Sequence, residues 1–83
     1  MTMRPHELHN LIISTYRFTC VRPSGLAAFA SQSVRESWPH LTEEEQVWCQ
    51  AGLAMELTRT GGECNQHTKL WWLLLAWMTG ADK

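Results

Sequence analysis

The chain has 83 residues, with seven Lys plus Arg against eight Asp plus Glu, a net charge of −1 and a charged fraction of 18 %. Without a basic excess there is no footprint for a polyphosphate partner, and without high net charge there is no drive to disorder, so a folded domain that does not bind nucleic acid is expected. A chain of this length permits one domain whose own core yields only a few kcal/mol, which large aromatics or self-association would supplement.

Pro5 sits where proline is tolerated, in a helix's first turn. Residues 6–18 then place Leu8, Leu11, Ile12, Thr15, Tyr16 and Phe18 on one side at the helical period, with His6, Asn10, Ser14 and Arg17 opposite. The spacing predicts a helix over about 5–19. A strand from Ile12 to Val21 is the rival reading, because that stretch is rich in β-branched and aromatic residues. No second strand candidate follows to pair with it.

Arg22-Pro23-Ser24-Gly25 is a breaker, with Ser24 available as an N-cap. Over 25–37, Leu26, Phe29, Ala30, Ser33 and Val34 share one face while Gln32, Arg35 and Glu36 share the other, which predicts a second amphipathic helix. Trp38-Pro39-His40 is expected to end it, since the residue before proline is disfavoured in the helical region.

Thr42-Glu43-Glu44-Glu45 reads as a capping box, in which Thr42 accepts from the Glu45 amide and Glu45 returns the bond. Its carboxylates also suit the positive end of a helix dipole. The third helix is expected over about 43–60, with two apolar stripes: Val47, Trp48, Ala51, Ala54 and Met55 on one, Cys49, Leu53 and Leu57 on the other. Two neighbouring helices are the natural explanation, and Ala51, Gly52 and Ala54 would let one approach closely. Gly61-Gly62 supplies the left-handed stop.

The last helix is expected over about 66–79, capped by Asn65 or Thr68 and ended by Gly80. Within it Leu70 to Met78 are nine consecutive apolar residues holding three of the five tryptophans. A helix apolar on every face has to be wrapped by its own chain or by another. At about 14 Å the run is too short for the ~30 Å of a bilayer's hydrocarbon, so no membrane crossing is expected. The predicted fold is all-α, a small bundle of four short helices forming one domain over 1–83, with the Trp-rich helix central or at a dimer interface.

Chemistry-bearing motifs are sparse. His6-x-x-His9 and Cys64-x-x-His67 are the pairs with metal-ligand spacing, and together they would offer zinc a tetrahedral set if the first helix met the start of the last. A zinc-stapled structural or regulatory domain is therefore one alternative reading. Cys20, Cys49 and Cys64 are odd in number and widely spaced, which is no disulfide framework and fits a reducing compartment. Only Cys64 lies near a helix start, where a thiolate would be stabilised. A helix-turn-helix regulator is the second alternative, drawn over 25–60, but its recognition helix would present Glu43, Glu44 and Glu45 to phosphates.

No catalytic set or cofactor box stands out, and the reading the residues favour is a non-enzymatic protein-binding module. Trp and Arg are frequent interface anchors, which singles out Trp71, Trp72, Leu75 and Trp38 as apolar contacts, with Arg35, Glu36 and Arg59 at the rim. The expected partners are a target protein and a second copy meeting through the last helix. Met1 to Glu7 carry neither an apolar signal core nor a cleavage site, so a cytoplasmic location is expected. Inhibitors, anti-activators and adaptors, many of them encoded by phages and other mobile elements, form the class that such a compact, neutral chain suggests.

Overall fold

The computed structural model describes residues 3–22, 25–61 and 68–80, and among them the secondary structure is entirely helical. α1 is Pro5–Val21, α2 is Leu26–Ser37, α3 is Glu43–Arg59 and α4 is Lys69–Thr79. The helix reading of residues 12–21 holds and the strand is excluded.

Local signals set most of the boundaries. Pro5 opens α1 at a position that needs no amide donor. At the start of α3 the Glu45 amide donates to Thr42 Oγ1 (3.2 Å) and the Thr42 amide donates to Glu45 Oε1 (2.8 Å), the reciprocal box expected there. Gly61 follows α3 at φ +100° and Gly80 follows α4 at φ +77°, both in the left-handed region that favours glycine. Thr68 takes the N-cap position of α4 without its side chain making a capping bond. The other expected caps and stops, Ser24, Gly62 and Asn65, lie outside the described residues.

Trp38 departs from expectation. It keeps helical backbone angles (φ −55°, ψ −46°) despite preceding Pro39, and α2 tightens into a single 3-10 turn over Trp38–His40 before Leu41 turns extended. A proline at the second position of a short turn needs no amide hydrogen, so the chain stops by tightening rather than by unwinding.

α1 lies against α2 and α3, and α4 lies against the same two, so α1 and α4 are diagonal neighbours, as are α2 and α3. The core is built from Leu8, Ile12 and Tyr16 of α1, Ala30 and Val34 of α2, Cys49, Leu53 and Leu57 of α3, and Trp71, Leu74 and Met78 of α4. Trp71 bridges the α1–α4 diagonal: its ring meets Tyr16 edge to face at 5.6 Å, and its Nε1 donates to Thr19 Oγ1 at 3.1 Å. The Thr19 hydroxyl donates in turn to the Tyr16 carbonyl, and the Tyr16 hydroxyl is bonded to Thr60 at the end of α3. Among the described residues no buried side-chain polar atom lacks a partner, which is what a small core needs to keep its narrow margin.

Candidate interaction surfaces

The helix rotations decide what is left outside. α2 turns Ala30, Ser31, Ser33, Val34 and Ser37 inward, so Leu26 and Phe29, expected on the buried face, are exposed. The inner arc of α2 is thus made mostly of small residues, and the bulkier pair is left at the rim. Phe18 is likewise half outside rather than with the core side of α1. Phe29, 59 % exposed, stands at a cleft of about 290 Å³ between α1 and α2, where Met3 and Leu11 supply apolar wall and Glu7 and Glu36 bring carboxylates.

On the other flank of α2 the structure gathers three side chains from distant positions. The Arg35 guanidinium lies over the Trp77 ring at 5.0 Å, and Trp38 meets Trp77 at 5.9 Å with a 56° tilt. Both tryptophans are half-buried. The Gln46 amide holds the Trp38 carbonyl at 3.0 Å, which fixes the turn that carries this ring. An arginine stacked on an aromatic face is attracted by the ring's negative face and loses less freedom when it meets a partner.

The remaining predicted interface residues fall differently. Trp71 is only 1 % exposed and fills the centre of the bundle, so the expectation that it anchors a partner is corrected: its surface is already used by Tyr16 and Thr19. Trp72 and Leu75 are half-buried, packed against the core from its edge. Of the large α4 side chains, Leu73 is the one left mostly bare, at 54 % exposure. Glu36 accepts a hydrogen bond from Gln32 one turn before it.

Arg59 joins Arg17 in clamping Glu56, a carboxylate on the inner face of α3 with almost no exposure. Burial pushes this carboxyl up, but hydrogen bonds and charge from Arg59 and Arg17 outweigh that and hold it below the ordinary range. The result ties α1 to α3 through a buried charge whose two partners reach water.

The metal reading divides. His6 is exposed, while His9 stacks on Trp48 with ring centroids 4.1 Å apart and planes 8° from parallel. Burial lowers the His9 pKa, which favours the neutral ring. Gly52 makes the stack possible, since a Cβ there would stand 2.6 Å from His9 Nε2. Cys64 and His67 lie outside the described residues, and among those described no group of three or more His, Cys, Asp or Glu is placed to hold a metal ion. Cys49 is buried, and its thiol is pushed up to about 11 by burial and by Glu45, so it behaves as a small apolar side chain. No described helix is long and apolar enough to cross a membrane.

A second bare surface was not singled out from sequence as solvent-facing. On α3, Val47, Trp48, Ala51 and Met55 are exposed, although their stripe was expected to meet a neighbouring helix of the bundle. Its edge does so where Trp48 stacks on His9 of α1, but Val47, Ala51 and Met55 face outward. No protein-family model matches the chain, and no match to it was found among curated proteins or solved structures.

Proposed function

We propose that this chain is a non-enzymatic, cytoplasmic binding module that occupies a surface of a target protein, as inhibitors, anti-activators and adaptors do. The observation that carries the reading is Phe29, a phenylalanine more than half exposed at a cleft with an apolar wall of Met3 and Leu11. An apolar ring held over a concave surface gains on transfer out of water, and such sites in soluble chains mark partner contacts. Arg35, Trp38 and Trp77 flank the same helix with the residue types that dominate binding energy, so the outer side of α2 is the face assigned to the target. Glu36 at the cleft and Gln32 beside it would tune which partner fits. Occlusion of a target surface is the mechanism this arrangement supports; it requires no bond to be made or broken.

The test is capture of partners from the native host's extract with the tagged chain, using Phe29→Glu as the control. Phe29→Glu is expected to keep its helicity and thermal midpoint, because the side chain is exposed, and to lose a stoichiometric partner that the native chain retains. A partner held equally by both, or no partner at all, overturns this assignment.

A further inference from the structure

The outward face of α3 is chemically unlike the solvent face of an ordinary surface helix, which carries charged and polar residues. Between Glu45 and Glu56 the sequence holds no charged residue, and on the outer arc Val47 and Met55 are 54 % and 71 % exposed with Ala51 between them. The pattern is also symmetric. Val47 and Met55 lie one turn to either side of Ala51, and beyond them the carboxylates of Glu43 and Glu44 at one end are balanced by Arg59 at the other. Arg59 donates from its Nε to Glu56, and its side chain is 58 % exposed, so the guanidinium is within reach of a carboxylate from outside the chain.

We infer that α3 is a self-association face, pairing antiparallel with α3 of a second copy about a two-fold axis at Ala51. A two-fold of this kind sets residue 51 against its own counterpart and brings the acidic start of each helix beside Arg59 of the other. It also places opposite ends of the two helix dipoles side by side. A parallel pairing would instead set carboxylates against carboxylates. The methyl group of Ala51 allows the helix axes to approach to about 8 Å, so that Val47 and Met55 bury against the opposite copy. α2 lies diagonally across the bundle from α3, so this pairing leaves the proposed target face open and does not rest on it. A single helix pair buries area near the lower bound of stable interfaces, ~1,200 Å², so the dimer is expected to dissociate in the micromolar range.

Light scattering and sedimentation equilibrium on the full chain, up to about 1 mM, test this directly. The native chain should form a reversible dimer. Ala51→Arg should weaken it more than ~10-fold, since two guanidiniums would meet at the axis, while the circular dichroism and thermal midpoint stay unchanged because residue 51 is exposed. In a background of Cys20→Ser and Cys64→Ser, Ala51→Cys should link two chains through residue 51 on mild oxidation, and Val21→Cys should not. A monomer at every concentration overturns the inference. So does a dimer indifferent to Ala51→Arg, or one that yields no link through residue 51.

Discussion

α4 is apolar without interruption from Leu70 to Met78 and α3 opens with three carboxylates, yet it is α4 that the chain covers and α3 that it leaves bare. α4 lies against both α2 and α3 and faces α1 across the diagonal, so Trp71, Leu74 and Met78 are buried and Trp72, Leu75 and Trp77 are half covered. α3 is equally well neighboured, by α1 and α4, but those two grip only its inner arc and its edges. Its outer arc happens to be the one with alanines, a valine and a methionine. How apolar a helix is therefore says less about its exposure than which arc its neighbours reach. A surplus of apolar surface expected on the tryptophan helix is found mainly elsewhere.

Three experiments would break or sharpen that contrast. Trp71→Ala should cost about 3–5 kcal/mol in urea unfolding, because it empties the centre of the bundle and removes the bond to Thr19. A loss below about 1 kcal/mol would mean that α4 is not the covered helix described here.

Glu56 probes the inner arc of α3. Its carboxyl sits lower in the fold than in the unfolded chain, so it stabilises the fold above the ordinary carboxylate range, near ~4.3, and that contribution is lost as pH falls through the lowered value. Glu56→Gln should remove about 1–2 kcal/mol at neutral pH, discounted because both arginines are more than half exposed, and should flatten the acid limb of the stability curve. An unchanged acid limb would show that the clamp contributes nothing.

Met55→Lys probes the outer arc and is the smallest effect: monomer stability should change by no more than about 0.5 kcal/mol. A larger loss would place Met55 in contacts that this fold does not give it.

The parts of the fold that were legible in sequence are those whose cause is local. The capping box at Thr42 and Glu45, the proline at the start of α1 and the stops at Gly61 and Gly80 each depend on a few adjacent residues, and each is found where the pattern places it. The rotation of α2 was not legible, because Leu26 and Phe29 lie on an arc as apolar as Ala30 and Val34. Only the packing of α2 against α1 and α4 decides between the larger pair and the smaller residues. The site behaves similarly. Arg35 and Trp38 were visible as candidate contacts, but their meeting with Trp77 joins positions about forty residues apart and required the α2–α4 packing to be known. Which of the tryptophans fills the core was not legible for the same reason, since the partner of Trp71, Thr19, is 52 residues away.

The glycine at position 52 ties its own history to that of position 9. The imidazole of His9 occupies the volume that a Cβ at 52 would claim, so while histidine stands at 9 a larger residue at 52 forces the ring from its place over Trp48. Descendants of this chain should therefore not explore the two sites independently. A larger residue at 52 becomes tolerable once position 9 has shrunk, and a return to histidine is then closed off. Alanine at 52, ordinarily a gain of about 1 kcal/mol over glycine within a helix, is in this way made conditional on a change on a different helix.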